Sequence, residues 1–184
     1  MPFIRIILFF ILAVVTYGIL HDQVTARLCI EYFTIAHPPV FQSDSPTLVG
    51  LGWGIIGTWW AGLGAGTIVA CAARLGTYPK HDVESLYRPV FILAAVMASC
   101  ALIAGIAGYV FAERGAFELV PLLAAEIPLH KHSRFIANSW AHASSYFFGM
   151  TGSITIAIRV WMSRIRLGKS TYPHPYRDKQ ERLS

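Results

Sequence analysis

The sequence predicts an all-α integral membrane protein. Four transmembrane helices are expected to form a bundle, with an extra amphipathic helical segment on the outer face. Three observations carry this. Only 14% of the 184 residues are charged and 55% are hydrophobic, against about 25% charged in a soluble domain. Four apolar stretches each approach the length that crosses a bilayer as a helix, about 20 residues. The basic residues also distribute unequally between the connecting segments, as a membrane topology requires.

The first expected span is 3–20, with Arg5 as its one charge. It has the length of a signal sequence, but no small-x-small cleavage pattern follows Leu20, so it reads as a retained anchor. The second span is 48–73 and reads as one uninterrupted helix. Gly50/Gly54 and Gly62/Gly66 place small residues one turn apart there, which lets helix backbones approach in lipid. The third span, 90–112, has Ala101/Gly105 and Ala104/Gly108 in the same spacing, so spans two and three are expected to pack on each other. Trp59 and Trp60 are expected to fill space against the glycines. The fourth span is 135–158. Residues 1–169 form a single four-helix domain on this reading, and 170–184 form a flexible basic tail with Pro173 and Pro175.

Orientation follows from lysine and arginine. With both ends inside, the cytoplasmic side holds Arg5, Arg74, Lys80, Arg88, Arg159, Arg164, Arg166, Lys169, Arg177, Lys179 and Arg182. The outer side holds Arg27, Arg114, Lys131 and Arg134. Eleven against four is a strong positive-inside bias. It assigns the net charge of +5 to topology and headgroup contact, and it removes nucleic acid as a partner. The expected setting is a plasma membrane of the bacterial type.

Function is expected in the two longer outer segments, 21–47 and 113–134. The first has helical character: Gln23, Arg27 and Glu31 recur every four residues, and Arg27 and Glu31 can pair at that spacing. His37-Pro38-Pro39 then ends it. Span four opens with a matching stripe, Arg134, Asn138, His142 and Tyr146. Polar side chains inside a span are costly facing lipid, so they must face the bundle, a cavity or one another. His21 lies at a comparable level, so the two stripes meet if spans one and four are neighbours. The candidate polar site is therefore His21, Gln23, Arg27, Glu31, His37, Arg134, Asn138, His142 and Tyr146. The alternative is that these groups only fix one helix to another.

His21, Glu31, His37 and His142 have the ligand chemistry of a metal site, since imidazole and carboxylate suit zinc, copper or iron. His130 and His132 lie on the same side. No HExxH, CxxC or Glu-x-x-His spacing accompanies them. Haem is disfavoured, because His142 is the one histidine clearly inside a span. Cys29, Cys71 and Cys100 form no paired framework and read as buried small hydrophobes. No nucleophile elbow surrounds Ser144 or Ser145. The sequence thus favours a binding or accessory subunit at the outer membrane face, with a metal ion as the sharper option and other membrane subunits as possible partners. A membrane enzyme acting on a lipid or other amphiphile is the alternative.

Reporter fusions at Lys131 and after Ser184 are expected to report from opposite sides of the membrane. The same side for both would undo this topology.

Overall fold

The computed structural model describes residues 1–38, 40 and 42–171. Seven α-helices follow in chain order: α1 (Pro2–Leu28), α2 (Glu31–Thr34), α3 (Pro46–Ile56), α4 (Trp59–Arg74), α5 (Tyr87–Glu113), α6 (Pro121–Glu126) and α7 (His132–Thr171). Two short 3-10 turns, Val83–Leu86 and Leu129–Lys131, lead into α5 and α7. No strand occurs among the described residues. The expected tail falls mostly outside the description; its first residues close α7.

Three helical stretches are long and apolar enough to cross a membrane: α1, the α3–α4 pair, and α5 with its leading turn. The segment expected as the fourth span lies within α7, a helix of 40 residues. That helix falls short of the same apolarity because Asn138, His142, Ser144, Ser145 and Ser153 interrupt it. Most of these polar residues turn inward: Asn138, His142, Ser145 and Ser153 are buried.

The packing corrects the expected pairing of spans two and three. α1 packs against α3 and α4, α5 packs against α7, and α4 and α7 join the two pairs. The glycine stripe explains the choice. A Cβ added at Gly54 would meet the Ile19 Cα at 2.5 Å, one at Gly62 the Ile11 Cα at 2.7 Å, and one at Gly50 the Asp22 carbonyl oxygen at 2.8 Å. These glycines let span two lie backbone-to-backbone on α1, not on α5. Trp140 of α7 fills the opposite role, lying against Gly108 of α5. Trp59 and Trp60 are 48% and 55% exposed, so they face outward and do not cover the glycines.

The second expected span is also not one helix. It breaks at Gly57 and Thr58, between α3 and α4. A break in an apolar segment frees backbone groups that lipid cannot satisfy. Here the Thr58 hydroxyl donates to the Gly54 carbonyl, and the Tyr146 hydroxyl donates to the Gly57 carbonyl at 3.0 Å. Tyr146 is thus committed to holding α7 against this break.

The segment after His21 extends α1 and does not form a separate amphipathic helix; only the single turn α2 is distinct. At the other end of the molecule, Arg164 is fully buried. It donates to the carbonyls of Pro79 at 2.7 Å, Leu75 at 2.7 Å and Tyr78 at 3.1 Å, and to that of Ala72. The last carbonyls of a helix lack intrahelical partners. One guanidinium on α7 supplies them for α4 and the loop that follows. Arg164 is therefore not available for headgroup contact.

Replacing Gly54 with Ala is expected to destabilise the protein by about 1–3 kcal/mol, the range for overpacking a close contact, because backbone of α1 must move. Gly64→Ala, where an added Cβ meets nothing within 4 Å, should leave stability unchanged or slightly raised. Thermal unfolding of the two variants in one detergent checks this; equal loss in both would contradict the packing.

Candidate functional site

The C-terminal end of α1 is shaped by a residue from α7. Asn138, only 1% exposed, donates its Nδ2 to the carbonyls of Thr25 at 2.8 Å and Cys29 at 3.2 Å. A helix end buried without partners is costly, and this amide provides one from across the interface. The chain turns extended at Cys29 and starts α2 immediately after. Asn138 therefore acts as the structural tie that was the alternative reading of the polar stripe.

One turn further along α7, the stripe carries different chemistry. His142 Nδ1 lies 2.8 Å from the Asn138 carbonyl, so Nδ1 carries the hydrogen and donates. His142 Nε2 then faces Asp22 Oδ1 at 3.1 Å. Two lone pairs cannot meet at that distance, so a proton or another cation lies between them. Asp22 is 5% exposed and His142 9%. The His21 ring meets the His142 ring edge-on, with centroids 4.6 Å apart. His21 Nε2 is enclosed and has no hydrogen-bond partner. One ligand atom from each of His21, Asp22 and His142 lies within 4.8 Å of the others.

An aromatic roof covers this group. The Tyr32 ring stacks on His142 at 4.5 Å, and Phe33 meets it edge-on at 5.6 Å. His37 folds back so that Nδ1 reaches the Tyr32 carbonyl at 2.8 Å, and its ring lies 4.9 Å from that of Trp53. Below, Tyr17 stacks on His21 and its hydroxyl meets Ser145 Oγ at 2.9 Å. Gly50 sets the lateral spacing, because any side chain there would strike the Asp22 backbone.

The structure thus divides the expected site. His21 of α1 and His142 of α7 come together. Glu31 and His37 do not join them as ligands. Glu31 lies beyond the end of α1, accepting from the Cys29 thiol at 3.3 Å and facing Lys131 Nζ at 3.6 Å. It does not pair with Arg27, because the helix that would align them ends at Leu28. Arg27 instead donates to Gln23 at 2.6 and 2.7 Å and to Thr47 Oγ1 at 2.8 Å, while Gln23 reaches the Thr47 carbonyl at 2.9 Å. Gln23 and Arg27 brace α3 against α1. Arg134 and His130 are exposed, and His132 meets the Ile127 carbonyl at 2.9 Å. The residue the sequence reasoning missed is Asp22. Its signal was present: a carboxylate next to His21 on a helix continuing from an apolar span.

The spacing of the two imidazoles bears on cofactors. Axial imidazoles at about 2.0 Å from an iron would put their centroids about 6 Å apart. The observed 4.6 Å is too short for a porphyrin to stand between them. A single ion fits better. The Nε2–Oδ1 separation of 3.1 Å is that of a hydrogen bond, and it needs to open only slightly to the about 3.4 Å between neighbouring donors on one ion at bond lengths of about 2.1 Å.

No protein-family model matches the chain, and neither a curated protein nor a solved structure does.

The Cys29 thiol has a distinct expected behaviour. Burial, then its hydrogen bond to the Glu31 carboxylate, pushes it up to about 11. The thiolate is the reactive form, so in a variant with Cys71 and Cys100 changed to Ala, alkylation of Cys29 should accelerate only near pH 11. Glu31→Gln should move that rise to lower pH. A rise near pH 8.5, the ordinary thiol value, with no response to Glu31→Gln would contradict this arrangement.

Proposed function

We propose that this chain is a four-span membrane protein, with both ends in the cytoplasm, that holds a divalent transition-metal ion between α1 and α7 near the outer face. It acts there as a binding or accessory subunit. The expected setting is a plasma membrane of the bacterial type. The ligands are His21, Asp22 and His142. The single observation that carries the reading is the convergence of two imidazoles and one carboxylate, each ligand atom within 4.8 Å of the others, in a buried setting.

Three arguments support it. The His142 tautomer set by Asn138 leaves Nε2 pointing at Asp22, and a backbone-anchored imidazole of this kind is the usual state of a metal-binding histidine. His21 Nε2 has no partner among the described residues, although enclosed polar atoms are nearly always satisfied. An imidazole–carboxylate set suits zinc, iron, manganese or copper and not calcium or magnesium.

The fourth span belongs to the same reading. α7 is about 60 Å long at 1.5 Å per residue, twice the hydrocarbon thickness. Of the polar residues that interrupt it, Asn138, His142 and Ser145 contact α1 or the segment that follows it, and Ser153 is buried. α1 packs on α4, α4 on α7 and α7 on α5, with a smaller contact between α1 and α7 where the ligands lie; a four-helix bundle would account for this packing.

Protein purified in detergent is expected to carry close to one equivalent of a transition metal by elemental analysis, and His142→Ala and Asp22→Asn should each lose it. A chelator should lower the thermal midpoint of the native chain and leave both variants unmoved. Metal-free native protein with an unmoved midpoint would overturn the metal reading. If His142→Ala were then destabilised, the pair would be a structural clasp.

A further inference from the structure

Resting on the metal reading above, we propose that the ion held by His21, Asp22 and His142 is coordinatively open and takes an exogenous anionic oxygen donor, a carboxylate or a phosphate. Two independent observations lead to it.

The first is the ligand count. Among the described residues no other His, Cys, Asp or Glu atom joins the group. The neighbouring donors are committed elsewhere. The Tyr17 hydroxyl is paired with Ser145, and the Tyr146 hydroxyl donates to the Gly57 carbonyl. His37 Nδ1 is tied to the Tyr32 carbonyl, and Glu31 to Cys29 and Lys131. Tyr32 stacks its ring on His142, with 29° between the planes, and a neutral phenol is a poor ligand beside imidazole and carboxylate. Asn138 Oδ1 is enclosed and unpartnered, but its amide nitrogen is anchored to two carbonyls of α1, which fixes the side chain by α1. Zinc sites with three protein ligands keep the fourth position for water or substrate, and the two-histidine, one-carboxylate set does the same for iron.

The second observation is charge. A divalent ion with two neutral imidazoles and the Asp22 carboxylate retains one net positive charge. A net charge enclosed in apolar surroundings is costly unless neutralised. The Glu31 carboxylate already faces Lys131 at 3.6 Å. An anion from outside the protein therefore completes both the coordination and the charge. Oxygen is the donor that suits an imidazole–carboxylate site. The anion can come from solution or from a phospholipid headgroup at the same level of the bilayer.

Cobalt(II) substituted into the full-length protein tests this, because its visible absorption bands report coordination number and ligand type. The protein is held in dodecyl maltoside, a detergent without phosphate or carboxylate, and titrated with sodium acetate. In parallel it is placed in nanodiscs of phosphatidylcholine with phosphatidylglycerol and no acetate. A saturable band shift with acetate supports an open site filled from solution. A shifted spectrum in the phosphatidylglycerol discs alone supports an open site filled by a headgroup. Cobalt bands that need His142 and respond to neither would overturn the open site while leaving the metal centre standing. An absence of site-bound cobalt would overturn the metal reading itself.

Discussion

A carboxylate and an imidazole, Asp22 and His142, face each other at 3.1 Å between two helices of a protein that is otherwise mostly apolar. Neither group can be left alone there. Removing one partner of a buried pair typically costs about 3–5 kcal/mol, because the other charge remains without compensation. The two groups compensate each other only where the helices bring them together. Much of the architecture follows from that requirement. α1 continues past the end of its apolar stretch so that His21 and Asp22 are displayed on a rigid helix. Asn138 of α7 accommodates the end of that helix one turn beyond.

The packing that holds this geometry is dispersed along α1. Gly50 and Gly54 permit α3 to press on the backbone of Asp22 and Ile19. The chain break at Gly57 and Thr58 redirects α4 down the remainder of α1, and Tyr146 of α7 seals the break. Tyr146 is one turn from His142, so a single face of α7 ties α1 through Asn138, meets Asp22 through His142 and secures α3–α4 through Tyr146. At the far end Arg164 clamps the close of α4 and the loop after it. Both ends of α7 are thereby anchored to the α1–α4 half of the molecule. This is the kind of support that fixes a ligand set within the tolerance a metal ion needs.

Much of this was legible in the sequence. The apolar stretches located α1, α3–α4 and α5, and the four-residue stripe on span four located Asn138, His142 and Tyr146 on one face. What could not be read was partnership. Small residues say that a backbone approaches closely but not whose, and the glycines of span two met α1 where α5 was expected. Periodicity assumes that a helix continues. It therefore paired Arg27 with Glu31 and missed that Asn138, more than a hundred residues away, accommodates the end of α1 between them. Gly57-Thr58 hid inside an apolar run because the hydroxyls that satisfy the break come from Thr58 itself and from distant Tyr146. Asp22 falls on neither four-residue stripe, and its role depends on the distant His142 that faces it. Types of side chain were readable, but the long-range contacts that sort ties from ligands were not.

The proposed centre has one direct spectroscopic signature. X-ray absorption at the edge of the metal carried by the purified protein reports the nearest atoms and the number of imidazole rings. The account predicts nitrogen and oxygen neighbours only, at about 2.0–2.2 Å, with multiple scattering from two imidazoles that falls to one in His21→Ala. A sulfur neighbour, or a spectrum without imidazole, would contradict it.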